Sequence, residues 1–256
     1  MAQQTIPLTT KKYLIAFDFD CTIVAQNTDT VVRDLLPQNL LTSDVNKLIE
    51  TVGWTQYMQK IFHMLHEEKV TKYKICDAVR AIPEVPGFVR LIKRLKQQNN
   101  FDLIIISDSN SIFIDEWLKA HNLSEHFLQV FTNPAVFNEH GLLGIKPYHH
   151  QTTCHVSAPN LCKKQVLERF LTKQDLHSNI RYDNLIYVGD GSNDFCPITK
   201  LGSTDIACAR EGFALEKKFR KHKDQLRHPP LLVIWENGFD LLEQLEKMLF
   251  HKDEAQ

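Results

Sequence analysis

The sequence holds no run of apolar residues approaching the roughly 18 that a membrane-spanning helix requires. Residues 1–12 offer only Ile6 and Leu8 as large apolar side chains besides Met1, so no secretory leader is expected there. Neither sign of charge is in excess. With 30 basic and 31 acidic residues the formal charge is -1, and no global field recruits nucleic acid or a membrane surface. Cysteine is sparse: Cys21, Cys76, Cys154, Cys162, Cys196 and Cys208 are spread through 256 residues, which reads as free thiols rather than a disulfide framework. No internal repeat or low-complexity segment is evident. These absences point to a cytoplasmic protein with a small-molecule partner, and they leave its oligomeric state open.

What is present is a series of short, consecutively apolar runs at 13–17, 102–106, 184–188, 204–208 and 231–235. Strands covered on both faces have this pattern. Helical patterns lie between them, each with one apolar stripe: Ile112, Phe113, Trp117 and Leu118 in 111–121; Val166, Leu167, Phe170 and Leu171 in 163–173; Phe239, Leu242, Leu245 and Leu249 in 238–250. The alternation predicts an α/β protein with a doubly wound, mostly parallel sheet. The interval between the first two strands far exceeds one crossover helix. Val45, Leu48, Ile49 and Val52, then Met58, Ile61, Phe62 and Leu65, follow helical spacing with a break near Gly53, and a shorter helix is expected at 72–81. Residues 27–85 therefore read as a helical insertion between two parts of one core, 1–26 and 86–256. Gly141 to Ser157 reads as a β-hairpin or a long loop.

Three of the strand runs end in polar residues. Asp18-Phe19-Asp20-Cys21-Thr22 follows the first, Ser107-Asp108 ends the second, and Gly189-Asp190-Gly191-Ser192-Asn193-Asp194 ends the third, while Lys163 opens a helical pattern. Alternate strand residues project on one side, and a turn at a strand's carboxyl end can aim both aspartates into one crevice. These four segments, in this order, resemble the four motifs of the haloacid dehalogenase superfamily of phosphatases. The resemblance implies a Rossmann-like core with a type-one helical cap that closes over small phosphate esters. It also implies that Asp18 is the nucleophile forming an aspartyl-phosphate and that Asp20 is the acid and base. Ser107 and Lys163 would bind phosphate; Lys164 is adjacent, but the resemblance selects Lys163. Asp18, Asp190 and the backbone carbonyl of Asp20 would hold Mg²⁺, with Asp194 behind them as a charge-balancing carboxylate.

Longer strings, including Asn27-Thr28-Asp29, Ile106-Ser107-Asp108-Ser109-Asn110, Phe131-Thr132-Asn133-Pro134, Asn160-Leu161-Cys162-Lys163 and Asp194-Phe195-Cys196-Pro197, resemble the phosphoethanolamine/phosphocholine phosphatase family, which includes a pyridoxal-phosphate phosphatase branch. Asp29 and Asp108 then stand where the family has substrate-side acids able to pair with an ammonium group; the alternatives are helix capping by Asp29 and structural hydrogen bonding by Asp108. Trp54 and Tyr57 could wall an aromatic pocket or simply pack in the core. His149, His150, Cys154, His155 and Cys162 match no standard zinc spacing and read as loop packing. Cys21 sits beside carboxylates that disfavour its thiolate. The basic run from Lys217 to Arg227 reads as a solvated face. A phosphotransferase or mutase of the same superfamily, or a non-catalytic phosphometabolite-binding protein, are the rival functions.

Overall fold

The computed structural model describes residues 11–250; the leader reading of residues 1–10 and the outer ends of the two core ranges lie outside them. At the centre is β1 (Tyr13–Phe17), buried along its whole length. Its alternate side chains enter two different cores: Tyr13, Ile15 and Phe17 join one apolar cluster, and Leu14 and Ala16 join the other. Burial on both faces explains why the run has no polar alternation.

The strands β2 (Phe101–Asn110), β3 (Gln129–Asn133), β6 (Asn184–Gly189), β7 (Ile206–Arg210) and β8 (Leu231–Trp235) complete a six-stranded sheet in the order β3-β2-β1-β6-β7-β8. All five pairings are parallel. The chain leaves β1 towards β2 on one side and later returns to β6 on the other, so the strand order reverses at β1. At such a switch point the connections diverge and open a crevice beyond the carboxyl ends of the strands.

One face is covered by α5 (Phe88–Lys96), α6 (Ser111–Ala120) and α10 (Gly238–Phe250), through Leu91, Ile92, Phe113, Trp117, Leu241 and Leu245. The other is covered by α7 (Lys163–Ser178), α8 (Phe195–Ile198) and α9 (Ala214–His222), through Val166, Phe170, Ile198, Leu215 and Phe219. Between β1 and β2 lie α1 (Thr28–Arg33), α2 (Ser43–Val52), α3 (Trp54–Glu67) and α4 (Lys72–Arg80). Gly53, at a φ of 79°, separates α2 from α3 in a conformation that side chains strain to adopt. Tyr57, Met58, Ile61, Phe62 and Val79 of these helices join the apolar cluster on the first face of the sheet.

Several elements differ from the sequence-based expectation. The strand expected at 204–208 runs Ile206–Arg210, two residues later. The edge strand β3 had no apolar run to announce it, because its first two residues are exposed. Helix α5, which leads into β2, was not anticipated. The hairpin comes earlier than expected, as β4 (Ala135–Phe137) and β5 (Leu143–Ile145), with Gly141 in its turn at a φ of 80°. Residues 146–162 then form the long irregular loop, with one isolated bridge between His150 and Asn160.

Candidate active site

Register places the polar strand ends side by side. Phe17 pairs with Ile105 on one side and Val188 on the other, so Asp18 begins where the sheet's central strand stops. Ser107 lies two residues beyond Ile105, and Asp190 two beyond Val188. The backbone N–H of Asp18 still donates to Val188 O at 2.9 Å, which holds the first turn against β6.

Lys163 reaches this point from the first residue of α7. Its Nζ lies 2.8 Å from Asp18 Oδ2 and 2.7 Å from Asp194 Oδ1, and the side chain is 1% exposed. Burial opposes its charge, yet Asp18 and Asp194 outweigh that and hold the ammonium above its ordinary range. Asp194 is also buried. It accepts Tyr187 OH on Oδ1 at 2.7 Å, and the N–H groups of Asp190 and Gly191 on Oδ2 at 3.0 and 2.9 Å. With both oxygens committed, it works as a brace between β6 and α7. Gly189 is required for this packing: a Cβ there would fall 2.4 Å from Asp194 Oδ2.

Asp190 faces Asp18 from the neighbouring strand, and Thr22 Oγ1 donates to its Oδ1 at 3.2 Å. Carboxylate oxygens of Asp18, Asp190 and Asp194 lie within 4.8 Å of one another. Burial first, and Asp194 second, push Asp18 well above the usual carboxylate range and Asp190 up to about 7. Three carboxylates share one ammonium, and the surplus negative charge in hard oxygen donors fits a divalent cation such as Mg²⁺. Among the described residues Asp194 accepts four hydrogen bonds, whereas Asp18 accepts two and Asp190 one, so Asp18 and Asp190 keep the lone pairs that could hold such an ion.

Asp20 is tied down from the helical segment between β1 and β2. Thr28, the first residue of α1, donates its backbone N–H to Asp20 Oδ1 at 3.0 Å and its hydroxyl to Oδ2 at 3.2 Å. The same hydroxyl shares a 2.7 Å hydrogen bond with Ser109 Oγ. Burial, with Asp29 next, raises the Asp20 pKa well above its ordinary value and favours the protonated acid. Between them, Cys21 takes a left-handed φ of 55°, and its carbonyl accepts Arg210 Nη1 at 2.6 Å. Burial and Asp190 push its thiol up to about 12, so the residue contributes its backbone turn rather than a thiolate.

Asp29 is 1% exposed and accepts Trp54 Nε1 at 2.6 Å on Oδ2, while Oδ1 is buried with no hydrogen-bond partner among the described residues. Burial pushes its pKa up to about 7, against the Trp54 hydrogen bond and with help from Asp108. Asn193 Nδ2 donates to Asp108 Oδ2 at 3.1 Å. Asp108, Trp54, His149 and Asn160 line a cavity of about 390 Å³. Of the two candidate aromatics, Trp54 thus fronts the cavity and holds Asp29, whereas Tyr57 is wholly buried core.

Ser107 is fully buried, and its Oγ accepts Ser109 N–H at 3.2 Å. Residues to which the sequence reading gave no role, though it quoted Asn133 and Asn160 within longer strings, complete the surroundings. Asn133 Nδ2 donates to the carbonyls of Asp108 and Ser109 at 2.7 and 3.0 Å, and Asn160 Nδ2 bridges Asn133 Oδ1 and Thr55 Oγ1 at 2.8 and 2.9 Å. Asn133 and Arg210 each terminate a strand, and a polar residue ending an apolar strand was the available signal.

The raised pKa of Asp29 gives a stability prediction. A carboxyl whose folded pKa exceeds its unfolded value of 3.8 stabilises the fold below that value, and the contribution is lost as pH rises through about 7. Asp29→Asn has no such proton to lose. Without added metal, its urea-denaturation stability relative to the parent should grow by about 2–3 kcal/mol between about pH 5 and about pH 8. A pH-independent difference would place the Asp29 pKa near its ordinary value.

The family model and the curated relatives agree on the family, and the solved structures agree on the fold. The model of the family described as Putative Phosphatase matches residues 13–249. The chain is 38% identical over 240 residues to the pyridoxal phosphate phosphatase PHOSPHO2 of Homo sapiens, spanning 93% of this chain and 99% of that protein. It is 30% identical over 252 residues to the phosphoethanolamine/phosphocholine phosphatase of Homo sapiens, spanning 97% and 92%. Among solved structures, a HAD family hydrolase from Salmonella enterica superposes with a TM-score of 0.63 at 19% identity, over 96% of this chain and 74% of that one. No helix among the described residues is long and apolar enough to cross a membrane.

Proposed function

The chain belongs to the Putative Phosphatase family and is a phosphatase, and from that premise we propose that it hydrolyses small phosphate monoesters through an aspartyl-phosphate on Asp18. The observation that carries this reading is the buried contact of Lys163 with Asp18 at 2.8 Å, two residues before Asp20, whose pKa burial raises in the direction that an acid needs.

In the first half-reaction an oxygen of Asp18 attacks phosphorus, and Asp20 gives its proton to the departing alkoxide. In the second, Asp20 takes a proton from water as that water attacks the phosphoryl group, and Asp18 is released. Lys163 and the Ser107 hydroxyl neutralise and orient the phosphoryl oxygens, positioning that costs no reorganisation as charge develops. Asp18, Asp190 and the Asp20 carbonyl would hold Mg²⁺, which supplies the positive charge that lets an anionic ester approach ionised carboxylates. Residues 27–85 would act as the cap: Thr28 ties this segment to Asp20, Trp54 lines the cavity beside Asp108, and closure would exclude water during transfer.

For substrate, pyridoxal 5'-phosphate, phosphoethanolamine and phosphocholine share a basic or cationic nitrogen in the leaving group. Asp29 supports that choice, because a buried carboxylate oxygen without a partner is costly until a donor or cation meets it. Asp108 lines the cavity, and so does Trp54, the donor to Asp29. The test is kcat/KM for these three esters and for glycerol phosphate with Mg²⁺, in the parent and in Asp29→Asn. The variant should lose about 10-fold or more on the nitrogen-bearing esters and much less on glycerol phosphate. Equal losses on all four would make Asp29 structural, and no turnover of the three would overturn the substrate class.

A further inference from the structure

Beyond the carboxylates, the structure gathers three thiols that no part of the phosphatase mechanism uses. Cys154 lies in the loop 146–162, Cys162 is the residue before α7, and Cys196 lies in α8. Cys196 Sγ is 3.4 Å from Cys154 Sγ and 3.6 Å from Cys162 Sγ, and all three sulfurs fall within 4.8 Å of one another. Cys162 and Cys196 are buried and Cys154 half-buried. The sequence reading grouped Cys154 and Cys162 with nearby histidines; the fold replaces the histidines with Cys196. His149 turns away, its Nε2 accepting the Cys162 N–H at 3.0 Å.

Three sulfurs around one centre are more than a disulfide can use. Four ligands at about 2.3 Å from a tetrahedral zinc ion lie about 3.8 Å apart, close to the spacing of the two short sulfur pairs. Ser157 stands beside Cys154 and Cys196, and its buried Oγ makes no well-formed hydrogen bond among the described residues. A buried polar atom left so invites a ligand. Gln151 shapes the loop around this point: its side-chain amide donates to the carbonyls of Cys154 and Ala158, and its oxygen accepts the Cys154 N–H at 2.7 Å.

We propose that Cys154, Cys162 and Cys196 bind one Zn²⁺ ion as thiolates, with the Ser157 hydroxyl facing the fourth position. Soft thiolate donors select zinc over the hard cation suited to the carboxylate site. Each thiol gives up its proton to solvent on binding, so affinity rises with pH. The ion fastens the irregular loop to the segments carrying Lys163 and Asp194, and thereby positions these residues without touching substrate.

The test uses the full chain purified under reducing conditions without chelator. Metal analysis should find one zinc per chain, and the apoprotein reloaded with Co²⁺ should acquire the near-ultraviolet thiolate-to-cobalt absorption that an oxygen-ligated cation never gives. Cys154→Ser changes a half-buried residue; with its circular dichroism unchanged, it should lose both the zinc and the band. Cys21→Ser, at a thiol outside the cluster, should keep both. A folded parent that takes up neither metal, a thiolate band that survives in Cys154→Ser, or a Cys154–Cys196 disulfide in the freshly purified chain would each overturn the site.

Discussion

Asp18→Asn should lower phosphate release by about 10⁴-fold or more while leaving the fold intact, a barrier increase of about 5.5 kcal/mol. An amide neither attacks phosphorus nor carries the charge that a cation needs. The fold should survive because the Asn side-chain oxygen can still accept the Phe19 N–H that Asp18 Oδ1 accepts at 2.7 Å, and because Lys163 keeps Asp194. Removing one of three crowded carboxylates also relieves repulsion on the other two. Acid-quenched mass spectrometry should find a phosphorylated peptide containing residue 18 in the parent during turnover and none in the variant. Retained activity would remove the covalent mechanism, and loss of the circular-dichroism signature would mean that the residue's role is in folding instead.

Lys163→Met should be the most damaging single change to stability among the site residues. The side chain keeps its length but leaves Asp18 and Asp194 buried without their shared cation. Breaking a buried pair from one side costs about 3–5 kcal/mol, because the remaining charge is neither hydrated nor compensated. Turnover should fall by about 10²–10³-fold with loss of the charge that meets the phosphoryl oxygens. Urea denaturation separates the two effects. The double variant Lys163→Met with Asp194→Asn should regain much of the stability and none of the activity; a single variant as stable as the parent would show that the ammonium compensates nothing.

The distribution of legible and illegible features follows from length scale. Asp18, Asp20, Ser107, Asp108 and Asp190 could be located from sequence, because each ends an apolar run and the end of a run is a local property. The edge strand β3 was missed because exposure dilutes its apolar pattern, and α5 because it follows α4 so closely. Thr28 on Asp20, Trp54 on Asp29 and Tyr187 on Asp194 had no local signature, and although Arg210 ends a strand, nothing local paired it with the Cys21 carbonyl. Trp54–Asp29 and Arg210–Cys21 join residues 25 and 189 apart in the chain, whereas Thr28–Asp20 and Tyr187–Asp194, only 8 and 7 apart, depend on how the turn beyond each strand folds back.

By itself the sequence determined the fold class and the family, and it placed chemistry-bearing residues at the carboxyl ends of parallel strands, since period and composition dictate which way neighbouring side chains point. Only the tertiary structure decided which charges are buried together, that Asp194 is hydrogen-bonded on both oxygens while Asp29 keeps one unpartnered among the described residues, and that Cys196 rather than a histidine joins Cys154 and Cys162. The reason is physical. Coulombic and desolvation effects depend on distance and on exclusion of water, and for residues far apart along the chain both are set by how the layers pack.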